Sequence, residues 1–161
     1  MRFEGTTDIA APRERVWAFL TDPVAVSSCG PDVQRVDVLD PEHFKVVARA
    51  GVGPIRATFA FDVHFVELHP PTHGVIRARG QAPGSAVEMT NTLELADQGP
   101  AQTSVRWTSD VVVNGTIASV GARLMQGAAD KITKQVFACI KSKLEATPAT
   151  AAASSDGSGA T

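Results

Sequence analysis

The sequence predicts an α+β fold in which one long C-terminal helix lies across a curved antiparallel sheet. Three observations carry that expectation. Apolar residues recur with a period of two through most of the chain, the pattern of strands with one buried face. After Asn114-Gly115 the period changes to 3.6 and holds to Leu144. The strands are also grouped together, with the helices set apart from them, which is α+β rather than alternating order.

Taken in order, Arg2 to Ala10 alternates, with Phe3, Gly5, Thr7 and Ile9 on one face of a first strand. Pro12 suits the first turn of a helix whose apolar side is Val16, Trp17, Phe19 and Leu20. Thr21-Asp22-Pro23 interrupts it, because a residue before proline is pushed out of the helical region. A second short helix, Val24 to Ser28, ends at Gly30-Pro31. Strands follow at 33–39 and 44–51. The longest strand is 55–68, with Ile55, Ala57, Phe59, Phe61, Val63 and Phe65 inward and Arg56, Thr58, Ala60, Asp62 and His64 outward. Three more strands cover 75–80, 85–95 and 102–113. The final helix carries Ile117, Val120, Gly121, Leu124, Met125, Ala128, Ile132, Val136, Cys139, Ile140 and Leu144 as one stripe. At about 29 residues it is ~43 Å long, against ~40 Å for a strand of about 12 residues, so helix and sheet match.

A length of 161 residues fits a single domain, taken as 1–145. The remainder, 146–161, is Ala, Thr, Ser, Gly and one Pro, with Asp156 its only charged side chain; it has little to bury and reads as a disordered tail. A net charge of −2 gives no general affinity for nucleic acid. No apolar run approaches the ~20 residues that span a bilayer, and no signal segment opens the chain, so the expected location is cytoplasmic. On that basis Cys29 and Cys139 are expected to be reduced thiols.

The chemistry-bearing residues are few. His64, His69, Asp62 and Glu67 lie close in sequence and suit a metal by type. Residues five apart on a strand point to opposite faces, however, so exposed histidines are favoured and no metal site is assigned. Neither cysteine has a histidine beside it in sequence, and no catalytic residue is assigned. Gly51, Gly53 and Pro54 lack the lysine and helix of a phosphate loop and read as a sharp strand connection, with a portal role as the alternative. Gly121, Gly127 and Ala128 either permit close helix–sheet contact or leave room for a ligand.

Inward residues would line a space between helix and sheet. These are Trp17 from the first helix, Phe59, Phe61, Met89, Asn91, Trp107, Ser109 and Val111 from the strands, and Gly121, Leu124, Met125 and Ala128 from the long helix. Such a wall, mostly apolar with an amide and a hydroxyl, suits a lipophilic ligand. Arg123, Lys131, Lys134, Lys141 and Lys143, against Asp130 and Glu145, make the long helix net positive. That is either a solvated face or a surface for anionic lipid or an acidic partner.

Three segments, Val16-Trp17-Ala18-Phe19-Leu20-Thr21-Asp22-Pro23, Gly51-Val52-Gly53-Pro54-Ile55 and Ala118-Ser119-Val120-Gly121-Ala122-Arg123-Leu124, and the spacing between them, carry a family resemblance. The chain from Met1 to about Glu145 resembles the CoxG family, named for the G subunit of carbon monoxide dehydrogenase, within the START/Bet v 1-like (SRPBCC) helix-grip group. It departs from the usual pattern in Cys29-Gly30-Pro31-Asp32, where the family has a Pro-Gly pair, and in having no apolar segment after the tail. The resemblance implies a helix-grip fold and a protein without catalytic activity. Such a protein would bind a quinone or other isoprenoid lipid, accompany a molybdenum-containing carbon monoxide dehydrogenase or related hydroxylase, and link it to the membrane, with peripheral contact at its inner face. The alternatives are an assembly factor whose cavity is incidental, and a cyclase or hydrolase acting on an aromatic substrate in the same cavity.

Overall fold

The computed structural model describes residues 1–153. Strand β1 (Arg2–Ile9) leads into helices α1 (Arg13–Leu20) and α2 (Pro23–Ser27). Six strands follow: β2 (Val33–Asp40), β3 (His43–Val52), β4 (Ile55–His69), β5 (His73–Ala82), β6 (Ser85–Asp97) and β7 (Thr103–Gly115). A 3-10 turn, Thr116–Val120, precedes the long helix α3 (Ala122–Ala153). All seven strands form one antiparallel sheet in the order β1-β7-β6-β5-β4-β3-β2. Each expected element is present, with ends shifted by a few residues.

The expected single helical stripe from Ile117 is divided. Gly121 has φ +93°, a conformation that L side chains rarely adopt, and it separates the 3-10 turn from α3. The helix itself runs on to Ala153, past the expected boundary at 145. The last part of the expected tail, 154–161, lies outside the described residues.

The short helices have local causes. Pro23 occupies the first turn of α2, and the Asp22 carboxylate accepts hydrogen bonds from the Val24 and Ala25 amides at 2.9 and 3.2 Å. Leu144 and Glu145 of α3 each accept a hydrogen bond from the N-terminal segment. The Ala10 amide donates to Glu145 Oε2 at 2.9 Å, and Arg15 Nη2 donates to the Leu144 carbonyl at 3.3 Å. Beneath this part of α3 lies the main core: Ile9, Val16, Leu20, Leu93, Leu95, Val105, Ile140 and Leu144, all buried. Two smaller clusters form elsewhere on the inner face, around Phe44, Val63 and Phe65, and around Val52, Phe59, Ile117 and Met125.

Cys29 and Cys139 are not free thiols. They form a disulfide, with Cα atoms 5.5 Å apart and 110 residues between them, that joins the turn after α2 to α3. Sequence separation concealed this pairing. The stripe of α3 brings Cys139 back over α2 only once the helix is docked.

Candidate functional site

The site is a cleft between the N-terminal half of α3 and the β3–β4 hairpin. The backbone of α3 makes its main close approaches to β1 and β3, which lie towards the two edges of the sheet, rather than to the central strands. A space of about 440 Å³ opens against the hairpin, walled by Ala50, Gly51 and Gly53 on one side and Leu124, Gly127, Ala128 and Ile132 on the other. Arg49, Arg56, Arg123 and Lys131 stand around it. None of these four cations forms an ion pair among the described residues. A smaller space of about 210 Å³ adjoins it, lined by Cys29, Cys139, Ile132 and Gln135 among others.

The small residues decide that the space exists. A Cβ placed on Gly127 would meet nothing within 4 Å, so this glycine leaves room rather than permitting contact. Gly53 does the reverse. It has φ +59°, and a Cβ there would come 2.8 Å from Leu124 Cδ1. The hairpin therefore bears on the first turn of α3 through Gly53, while the next turn stands away from it.

The structure distributes the twelve expected ligand-binding residues over several environments. Leu124 and Ala128 line the cleft. Phe59 and Met125 are buried in the adjoining core cluster, and Phe61 packs between that cluster and the one around Phe44, where Met89 also packs. Trp17 and Trp107 pack on the main core; Trp107 lies over Gly5 and stacks on Phe137 with ring centres 5.8 Å apart. Gly121 is exposed and faces open space.

Asn91, Ser109 and Val111 are different. They are half-buried on the inner face and belong to none of the core clusters. Asn91 and Ser109 are directly paired across β6 and β7. Neither side chain hydrogen-bonds to another described residue. They are two adjacent polar groups whose bonding capacity is open to water or a ligand.

Sequence reading missed Arg49 and Arg56 at the site. Strand alternation assigns Arg56 to the solvent face, and nothing in sequence shows that the rim of the hairpin meets α3. Arg123 and Lys131 were visible only as helix charge.

The histidines also depart from expectation. β4 carries a bulge between Phe65 and Glu67, which reverses the alternation beyond it. Leu68 therefore packs inward, and His69 faces outward as His64 does. The premise that these two histidines oppose each other fails for that reason. They nevertheless join different groups. His64 meets Asp62 and His43, whereas His69 and His73 meet Glu67. The hydrogen bond from His43, with a smaller contribution from His64, holds the Asp62 carboxyl below the usual carboxylate range. The Glu94 carboxylate, 2.6 Å away, raises the His73 imidazole above its ordinary value, with help from Glu67.

A long antiparallel sheet gripping one C-terminal helix, with a cleft between them, defines a START-like helix-grip fold. Solved structures agree. A conserved protein from Geobacillus kaustophilus superposes with a TM-score of 0.85 at 19% identity, covering 91% of this chain and 97% of that one. The Zhui aromatase/cyclase from Streptomyces sp. R1128 gives 0.68 at 17% identity (91% and 94% covered). A START superfamily protein from Mycobacterium smegmatis gives 0.66 at 14% identity (89% and 97% covered). The family model for the G subunit of carbon monoxide dehydrogenase (CoxG) matches residues 5–145, and the chain belongs to that family. No curated protein matches it.

Proposed function

We propose that this protein binds a lipophilic molecule, of quinone or isoprenoid type, in the α3–hairpin cleft and acts without catalysing a reaction. It would serve a molybdenum-containing carbon monoxide dehydrogenase or related hydroxylase by linking it to membrane quinone. The cleft is the observation that carries this reading: small and apolar residues form its walls, and cations stand around it. An apolar body would enter beside Leu124 and Ile132. Asn91 and Ser109 stand on the same face of the sheet but outside the lining of this cleft. The cations would draw the cleft towards an anionic surface, whether lipid headgroups or an acidic enzyme. No helix among the described residues is long and apolar enough to cross a membrane, so contact through this rim would be peripheral.

The aromatase/cyclase among the similar structures supports a second reading, chemistry on an aromatic substrate. That chemistry calls for a positioned acid or base. The cleft is lined by no histidine, aspartate or glutamate among the described residues, which favours binding.

Organic extraction of the purified protein, followed by mass spectrometry, tests the proposal. A stoichiometric quinone or isoprenoid is expected, with recovery lost in Gly127→Leu, whose side chain enters the cleft. A protein that yields nothing and also fails to bind added menaquinone and ubiquinone overturns it.

A further inference from the structure

We propose that His43, Asp62 and His64 form a binding site for a divalent late-transition-metal ion such as Zn2+, on the face of the sheet opposite the cleft. His43 and His64 are cross-strand partners on β3 and β4, and Asp62 precedes His64 by two residues on the same face. The three groups therefore converge because of register alone. Both imidazoles turn Nε2 to one carboxylate, each to a different oxygen: His43 to Oδ1 at 2.6 Å and His64 to Oδ2 at 3.3 Å. Their rings stack with centres 3.8 Å apart and planes 17° apart, so the two Nε2 edges lie together. One ligand atom from each residue lies within 4.8 Å of the others.

Bonds of about 2.0–2.2 Å to a tetrahedral zinc place neighbouring ligand atoms about 3.3–3.6 Å apart. The His64 Nε2–Oδ2 separation of 3.3 Å matches that span. The 2.6 Å contact of His43 must lengthen, and the stacked rings must splay apart, for both Nε2 lone pairs to reach one ion. A simple ion pair between His43 and Asp62 would not require a second imidazole to present Nε2 to the same carboxylate. Two imidazoles and one carboxylate suit zinc, cobalt, nickel or copper. A single carboxylate is too few for calcium or magnesium, which take mainly oxygen ligands. Lys45 and Arg79 lie opposite Asp62 in register, and Arg77 opposite His64. Arg79 reaches instead to Glu88 at 3.5 Å. These cations oppose any divalent ion alike, so the two imidazole nitrogens must supply the affinity. The three side chains are partly exposed, which would leave the remaining coordination positions to water.

Calorimetric titration of the full chain with ZnCl2 is the test. One ion per chain is expected, unaffected by millimolar Mg2+ or Ca2+, and its cobalt analogue should show visible ligand-field absorption. His43→Ala and Asp62→Asn should each weaken zinc affinity at least about 100-fold, since loss of a direct ligand exceeds the 10–100-fold cost of losing an outer partner. His64→Gln should do the same, with circular dichroism confirming that each variant is folded. His69→Ala should leave the titration unchanged. Absence of binding up to millimolar zinc, or affinities in the triad variants within threefold of the parent, overturns the proposal. Loss of binding in His69→Ala overturns it too, by placing the ion at the neighbouring His69–His73 cluster.

Discussion

The two ends of α3 meet the same sheet in opposite ways. Towards its C-terminal end, Ile140 and Leu144 are nearly inaccessible, at 2% and 3% exposure, and pack on Leu93, Leu95 and Val105. Towards its N-terminal end, Gly127 and Ala128 occupy the corresponding face, Leu124 is 44% exposed, and a cleft remains. The strands beneath alternate alike at both ends. Side-chain volume on the helix therefore decides whether the interface closes into a core or opens into a site. The packed end anchors the helix, and that anchoring lets the other end stand away from the sheet.

Substitutions at the two ends should accordingly have opposite consequences. The largest effect is expected from Ile140→Ala, which leaves a cavity in a site that cannot collapse and should cost about 2–5 kcal/mol in urea unfolding. If Ile140→Ala proves nearly neutral, the packed end is not the anchor.

The disulfide stands between the two regions, and its removal comes next. Cys29→Ser with Cys139→Ser should lower stability by about 2–4 kcal/mol, and dithiothreitol should reproduce the loss in the parent protein alone. Equal sensitivity of parent and double variant to the reductant would show that the bond does not hold the helix.

The smallest effect has the opposite sign. Gly127→Ala places a methyl group in empty space and restores helix propensity, so it should stabilise the fold by about 0.5–1 kcal/mol in the same unfolding assay. A destabilised Gly127→Ala would mean that the cleft is closed in solution.

The alternation of Ile55 to Phe65 sufficed to place β4 and its inward face, because a strand with one wet face has only one acceptable orientation. The change of period after Gly115 likewise located the helical segment. Alternation could not foresee the bulge after Phe65, since Val66 satisfies either pattern until the partner strand is known. The break at Gly121 was equally hidden, because a 3-10 turn and a helix share apolar spacing over so short a stretch. For the site, Leu124 and Ala128 were legible as inward helix positions. Arg49 and Arg56 were not, because charged residues on an outward strand face give no sign that the hairpin rim meets a helix.

By itself, the sequence determined the order of elements, the buried face of β4 as far as Phe65, and the family to which the chain belongs. These are local matters, set by backbone preference and by the cost of exposing apolar surface. Tertiary structure alone decided the Cys29–Cys139 bond, the gathering of His43 with Asp62 and His64, and the opening of the cleft at one end of α3. Each depends on groups brought together by strand register or helix docking, and distance in space is not written in distance along the chain.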